Sequence, residues 1–370
     1  MASPPALNAL RLIHVADQNG YSRCWARLRA FQDMGVNVRT VALTKVGDPD
    51  SGGGGASLSD RILGKLGLHF DWVGAGRGVL AALAAAPADI VWIEKGVTIA
   101  PAVLRQIRSR YPDTRLVAFS EDDMFLAHNQ TRRFVRGLDL YDVVFTTKAS
   151  NVEPDELPAL GAREVRFVHQ AFDPYQHRPT ELSPVEAEAL DADVSFVGTF
   201  EAARARSMLH LAQNGIVVRV WGNGWAQQAS LHENLRIEGR AMVNAPGRLN
   251  YSKAVAASRI NLCFLRKLNR DQHTSRTFEI PAIGGFMLAE RTAQHEALYV
   301  EDEEAAFFGS DEELLRKVRF YLANPEARQK IAAAGHRRCW NEYGSQAQVR
   351  MMLVWVAEQD PAGADAQAAS

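Results

Sequence analysis

The stretch Asn269–Arg291 reads Asn-Arg-Asp-Gln-His-Thr-Ser-Arg-Thr-Phe-Glu-Ile-Pro-Ala-Ile-Gly-Gly-Phe-Met-Leu-Ala-Glu-Arg. Polar and charged side chains crowd its first half, and an apolar run, Phe286–Ala289, follows a pair of glycines. This order predicts a loop, the start of a helix and then a buried strand. A helix N-terminus offers unpaired N–H donors and positive potential, and arginine adds a two-pronged donor. The stretch therefore suits a phosphorylated ligand.

Two acids in this stretch, Asp271 and Glu279, are separated by seven residues. The spacing resembles that of retaining glycosyltransferases with two Rossmann-like domains, the GT-B architecture, although Asp stands where Glu is usual. The run Asn269–Ala282 and the strand end Phe196–Thr199 are similar to the spore-maturation-protein-like glycosyltransferases. This likeness covers residues 194–343 well and the N-terminal half more loosely.

The resemblance implies an α/β fold of the GT-B type, with two Rossmann-like domains facing across a cleft. It also implies a C-terminal helix that crosses back to the N-terminal domain. We expect an acceptor-binding domain over residues 1–175, a nucleotide-sugar-binding domain over 185–345 and the crossover helix over 346–360. Prolines and polar residues from Asp173 to Ser183 predict the linker. The small, polar residues 361–370 predict a disordered tail.

The hydrophobic pattern favours the same fold class. Apolar runs alternate with helical patterns, which is typical of parallel sheets with crossover helices. Strands are expected at residues 10–15, 36–43, 90–94, 116–120, 142–147, 164–168, 193–197, 217–221, 260–264 and 286–289. Helices are expected at 311–323 and 325–343, among others.

Composition narrows the class of protein. Lys plus Arg number 42 against 43 for Asp plus Glu, so nothing favours a general nucleic-acid or anionic-membrane binder. Three scattered cysteines predict reduced thiols in a cytoplasmic protein. The N-terminus shows no signal-peptide pattern, and no apolar run is long enough for a transmembrane segment. Peripheral contact with a membrane stays open.

The resemblance assigns roles within the opening stretch. Glu279 would bind the ribose, Asp271, His273 and Thr274 would surround the donor sugar, and the segment Ser275–Thr277 would meet the phosphates through Arg276 and main-chain donors. The alternative is a helix start whose Arg276 and Glu279, three residues apart, form an ion pair on the solvent side.

A second group of residues follows the strand that ends at Val197. Gly198 and Thr199 would direct N–H groups toward a diphosphate, and Arg204 or Arg266 would neutralise the departing charge. Gly222 follows the next strand and would help to bound the base. The alternative for Arg204 is an exposed charge on an amphipathic helix.

In the N-terminal half, Asp122, Asp123 and His128 follow the strand 116–120. The carboxyl ends of parallel strands line ligand crevices, and carboxylates there could orient or deprotonate an acceptor hydroxyl. Gly20 and Tyr21, after the first strand, are further acceptor-side candidates. Two acids in sequence would also suit a divalent metal, but the resembled transferases generally work without one. Helix capping is the alternative for the acids.

These observations predict a glycosyltransferase, hexosyl- or related, that moves a sugar from a nucleotide-diphosphate sugar to an acceptor hydroxyl. We expect retention of configuration, no metal and no cofactor, a UDP-sugar as donor, and Asp271, Arg276, Arg204, His128 and Asp123 in catalysis. A nucleotide-sugar 2-epimerase on the same fold and a non-catalytic, coat-associated nucleotide-sugar-binding protein are the alternatives. A nicotinamide dehydrogenase is disfavoured because the residues after the first strand, 17–20, lack its glycine-rich turn.

Overall fold

The computed structural model describes residues 7–45, 70–228, 231–238 and 242–358. The chain divides into two compact units. Unit 1 combines Met1–His169 with Ser345–Ser370, and unit 2 is Gln170–Gly344. The segment predicted as a linker, residues 173–183, lies inside unit 2, and the predicted tail at 361–370 lies outside the described residues.

Unit 1 is built on a parallel sheet. Its strands and helices, in chain order, are β1 (Arg11–Ala16), α1 (Cys24–Asp33), β2 (Asn37–Ala42), α2 (Ala75–Ala85), β3 (Ile90–Glu94), α3 (Pro101–Arg110), β4 (Arg115–Ser120), α4 (Arg132–Val135), β5 (Val143–Thr146) and β6 (Val165–Phe167). The strand order is β2-β1-β3-β4-β5-β6, with every pairing parallel. The chain therefore reverses its direction across the sheet between β1 and β3.

Unit 2 repeats this architecture. Its elements are α5 (Pro184–Leu190), β7 (Ala192–Val197), α6 (Ala202–Gln213), β8 (Val218–Trp221), β9 (Leu235–Ile237), β10 (Asn244–Ala245), β11 (Arg248–Leu249), α7 (Asn250–Ala256), β12 (Ser258–Cys263), α8 (Ser275–Ile283), β13 (Met287–Glu290), α9 (Ala293–Leu298), β14 (Ala306–Phe308), α10 (Asp311–Ala323) and α11 (Pro325–Glu342). The order β14-β13-β12-β7-β8-β9 is parallel throughout, and β10 and β11 form a separate short hairpin.

Alternate residues of the strands feed two cores on opposite faces of each sheet. In β3, Val91 and Ile93 join the core under α2 and α3, whereas Ile90 and Trp92 join the core on the other face. Strands covered on both faces have to be apolar along their whole length, which explains the continuous hydrophobic runs in the sequence.

The last helix, α12 (Ser345–Glu358), belongs to unit 1 although it follows unit 2 in the chain. Val349, Met352 and Leu353 are buried against Phe31 and Trp92 in the core that α1 also covers. The prediction of two Rossmann-like domains with a returning C-terminal helix is confirmed. None of the described helices is both long enough and apolar enough to cross a membrane.

Glycines hold the ends of β7 and β8 in close contact. Gly222 has a φ of 150°, and a Cβ at this position would overlap the carbonyl oxygen of Gly198. That same oxygen accepts a hydrogen bond from Nε1 of Trp225 at 2.8 Å, so it has little room to move. Only a residue without a side chain fits here.

Gly222→Ala is expected to lower the free energy of unfolding by about 3 kcal/mol, because it combines backbone strain with a clash against main chain. Gly215→Ala is the matched control, since Gly215 has a φ of 84° but open space around its Cβ position. It should cost about 1 kcal/mol. Urea unfolding of both variants measures the difference, and equal losses would contradict the close-contact explanation.

Candidate functional site

The carboxyl edge of the unit 2 sheet carries the N-terminus of α8. Thr274 precedes this helix, and its backbone N–H donates to Oγ1 of Thr277 at 3.1 Å. No acidic side chain lies in the first turn. The positive end of the helix is therefore not neutralised within that turn, which suits an anionic ligand.

Arg276 lies in this first turn and faces the end of β7. Its Nε donates to the carbonyl of Val197, the last residue of β7, at 3.2 Å. The guanidinium lies 4.4 Å from the ring centre of Tyr251 and forms an ion pair with Glu279. Burial lowers the pKa of Arg276, but the charge of Glu279 outweighs this effect and raises that pKa above its ordinary value.

Glu279 is the buried partner in this pair. Its side chain is 4% exposed, against 27% for Arg276. Nε2 of His177 lies 3.7 Å from the other carboxylate oxygen, and Nδ1 of His177 accepts from the backbone N–H of Asp173. The ion pair considered from the sequence is therefore present, but it lies at the carboxyl edge of the sheet and not on a solvent-facing side.

Arg204 is predicted from the sequence to contact a diphosphate directly. Instead, its two terminal nitrogens donate to the carbonyls of Thr199 and Leu265, both at 3.2 Å. Burial lowers its pKa, and its Nε is buried with no hydrogen-bond partner among the described residues. Arg204 thus ties the loop after β7 to the loop after β12, and its burial is contrary to the alternative of an exposed charge.

The loop after β12 holds two of the predicted residues. Arg266 is half exposed, and its Nε donates to Glu201 at 2.9 Å. The carboxylate of Asp271 accepts from the backbone N–H of Arg266 at 3.3 Å and from the amide of Asn269 at 3.0 Å. Asp271 therefore closes its own loop, and its placement does not favour the predicted contact with the donor sugar.

Two further predicted residues, His273 and Thr277, are buried. Nε2 of His273 accepts from the backbone N–H of Gln170 at 3.1 Å, and its Nδ1 faces Gln294. Oγ1 of Thr277 lies 2.8 Å from Nε2 of His295. These partners correct the predicted ligand contacts of His273 and Thr277, because side chains fully engaged inside the protein cannot reach a ligand.

The other predicted residues of unit 2 lie at the sheet edge. Gly198 and Thr199 follow β7, and Gly222 follows β8. Ser275 opens α8, and its hydroxyl accepts from Arg276 at 3.3 Å. Arg276, Glu279, Ser275 and the two glycines therefore lie at the same edge of the sheet, and their ligand contacts stay predictions.

In unit 1, the three predicted residues that follow β4 have different surroundings. Asp122 forms an ion pair with Lys95 at 2.6 Å. Asp123 is fully buried, and its carboxylate accepts from the amide of Asn151 and from the N–H of Phe125. Its predicted catalytic role is corrected to a structural one. His128 is exposed.

The loop after β1 carries the acceptor-side candidates Gly20 and Tyr21, both half-buried. It lies at the carboxyl edge of the unit 1 sheet, next to the reversal between β1 and β3. The structure places these two residues where a ligand crevice is expected in such sheets.

A buried charge network beside that reversal is not predicted from the sequence. Arg27 donates twice to Glu94 at 2.7 Å and once to Glu121 at 2.9 Å, and His14 lies 3.0 Å from Glu94. Burial would raise the pKa of Glu94, but the charge of Arg27 lowers it to about 2. The sequence signal was present: His14 interrupts the apolar run Leu12–Val15, and Glu94 ends the otherwise apolar β3.

Comparison with known proteins agrees with this geometry. Residues 203–353 match the family model described as glycosyl transferase-like. No curated protein sequence matches the chain.

Solved structures share the fold across nearly the whole chain. HepE of Anabaena, in complex with UDP and glucose, is 12% identical, with 95% of this chain and 100% of that one covered and a TM-score of 0.60. Sucrose-phosphate synthase of Thermosynechococcus elongatus is 13% identical, with coverage of 98% and 100% and a TM-score of 0.63. An alpha-glucosyltransferase in complex with UDP and DNA is 11% identical, with coverage of 94% and 100% and a TM-score of 0.64. These likenesses establish the GT-B fold and, with the family match, support a glycosyltransferase.

The buried His295 predicts a pH dependence of stability. Its Nδ1 faces the carbonyl of Glu290, and burial lowers its pKa from 6.5 to about 4. Between these values the unfolded chain binds the proton and the folded protein does not, so stability falls as the pH falls from 6.5 to 4. The loss from this residue should be about 3 kcal/mol.

Urea unfolding at pH 7 and pH 4.5 tests this expectation. His295→Gln should show a smaller loss of stability on acidification than the wild type, and His128→Gln, at an exposed position, should behave like the wild type. An unchanged loss in His295→Gln would show that another group carries the pH dependence.

Proposed function

We propose that this chain is a glycosyltransferase that moves a sugar from a UDP-sugar to an acceptor hydroxyl. The observation that carries the proposal is Arg276, held at the end of β7 by Val197 and Glu279 beside the N-terminus of α8. A guanidinium and the first N–H groups of a helix together match the charge and donors that a diphosphate needs.

The position of the site within the sheet supports the same ligand. The chain runs from β7 toward β8 and β9 in one direction and toward β12 and β13 in the other. Ligands of open parallel sheets bind at such a reversal, outside the carboxyl ends of the strands. On the loop after β12, Arg266 and Lys267 lie at the same edge, where they pair with Glu201 and Glu290. The Asn269–Ala282 run further supports the spore-maturation-protein-like subtype.

Glu279 has two compatible roles in this proposal. It orients Arg276 through their ion pair, and by resemblance it accepts a hydrogen bond from the ribose. Arg204 does not contact the diphosphate in this proposal. It holds the two loops that flank the diphosphate.

The proposed reaction breaks the bond between the anomeric carbon and the diphosphate oxygen, and the bonding electron pair leaves with that oxygen. The oxygen of the acceptor hydroxyl then bonds to the anomeric carbon on the same face, and its proton passes to the departing phosphate oxygen. Arg276 and the helix N–H groups stabilise the charge that develops on the diphosphate, so the chemistry is proposed to need no metal and to retain configuration.

Unit 1 is proposed to bind the acceptor at the carboxyl edge of its sheet, near Gly20, Tyr21 and Asp122.

Cys24, Cys263 and Cys339 are all free thiols. Unpaired cysteines support a cytoplasmic location, where thiols stay reduced.

Nucleotide binding tests the diphosphate site. Calorimetry should detect UDP binding in preference to GDP or TDP, and Arg276→Gln should weaken it about 10- to 100-fold through the loss of charge-assisted hydrogen bonds worth about 1.5–3 kcal/mol. Arg259→Gln is the control, because Arg259 pairs with Asp193 at the amino end of β12, the opposite edge of the sheet. A folded protein that binds no nucleoside diphosphate would refute the proposal.

Product analysis tests the reaction. We expect a UDP-sugar panel with hydroxyl acceptors to yield UDP and a glycoside of unchanged anomeric configuration, with activity retained in EDTA. Arg276→Gln should lower kcat more than it raises KM, since the developing charge is greatest in the transition state. Release of a free 2-epimer without any acceptor would favour the epimerase instead.

A further inference from the structure

An arginine-rich hollow lies on unit 1, where α3 begins and α4 passes. Two adjoining cavities of about 450 and 420 Å³ share Arg132 and Arg136 in their walls. Arg105 and Arg133 also line the second cavity. Much of the remaining lining consists of small or apolar residues, namely Ala100, Pro101, Ala102, Ala127 and Val135. We call this the arginine hollow.

The arginine hollow is positively charged, and the segments that form it contain few acidic residues. The segment 95–111 contains no Asp or Glu, and 124–141 contains only Asp139. Arg105, Arg132 and Arg136 are exposed. Within the described parts of the chain, no ion pair joins these arginines or Arg133 to a carboxylate.

Exposed aromatic side chains adjoin the hollow. The guanidinium of Arg133 lies 5.6 Å from the ring centre of Phe70, and the rings of Phe70 and Trp72 are 5.3 Å apart. Trp72 is 64% exposed and Phe70 is 40% exposed. Such rings are costly to leave in water unless a second surface covers them.

Positive charge and exposed aromatic rings occur together where proteins meet lipid. Arginines attract anionic headgroups, and Trp and Phe rings insert at the level of the headgroups. From this combination we propose that the arginine hollow and the Phe70–Trp72 pair dock unit 1 on an anionic lipid bilayer. A lipid headgroup fits the arginine-lined cavities, and the aromatic pair enters the interface beside it.

A lipid surface explains the apolar lining better than a nucleic acid does. Methyl groups of Ala100, Ala102 and Ala127 have no donors or acceptors for base edges, but they suit the glycerol and upper acyl region of a lipid.

The test is sedimentation of the full chain with vesicles of phosphatidylcholine alone or with 30% phosphatidylglycerol added (roughly the range of anionic membranes). Binding should require the anionic lipid. The triple variant Arg105→Gln, Arg132→Gln, Arg136→Gln should bind about 100-fold less, since each arginine contributes about 1 kcal/mol near such a surface. A matched triple, Arg316→Gln, Arg337→Gln, Arg350→Gln, removes the same charge from other exposed positions and should bind like the wild type.

A second readout follows the aromatic pair. Lipids brominated along their acyl chains should quench part of the tryptophan fluorescence, and Trp72→Phe should remove that quenching while binding is retained. Absence of vesicle binding, equal losses in the two triples, or binding to single-stranded RNA but not to vesicles would each overturn the proposal. The assays contain no nucleotide sugar, so their failure would leave the proposed transfer reaction untouched.

Discussion

The edge of the unit 2 sheet depends on two arginines that bind main-chain carbonyls. Arg204 joins Thr199 to Leu265, and Arg276 reaches Val197, so the loops after β7 and β12 are held by charged side chains. Each of these bonds satisfies a main-chain carbonyl without a second side chain. Arg276 and Arg204 also pair with Glu279 and Glu201, so the attraction of this edge for an anion depends on the N-terminus of α8 as well as on the guanidinium groups.

This arrangement makes Glu279 important for stability as well as for the site. Breaking this ion pair leaves one charge without its partner, and the cost of desolvating that charge is then no longer offset. Within α8, the hydroxyl of Thr277 contacts His295, and Tyr299 donates to the carbonyl of Thr277 at 3.0 Å. That carbonyl would otherwise lack a partner, since Pro281, four residues on, has no N–H. The polar residues around α8 thus stabilise the helix whose N-terminus we propose as the diphosphate site.

In unit 1, a different set of charged side chains holds the carboxyl edge of the sheet. Arg27 is shared between Glu94 and Glu121, which ties the ends of β3 and β4 to α1. Lys95, at the end of β3, has a φ of 58°, a strained value for a residue with a side chain. The buried charge network therefore fixes the ends of β3 and β4 relative to α1.

The sequence by itself determined the fold class, most strand positions and the stretch that forms the unit 2 site, because apolar periodicity and helix-start chemistry are local properties. It did not locate β9 and β14, whose three residues are too few to give a pattern, nor the network around Glu94. It also assigned His273, Thr277 and Asp271 to the donor and Asp123 to catalysis, whereas each of these side chains is hydrogen-bonded within the protein. Only the tertiary structure decided these roles, because the burial and partners of a side chain depend on residues distant in sequence.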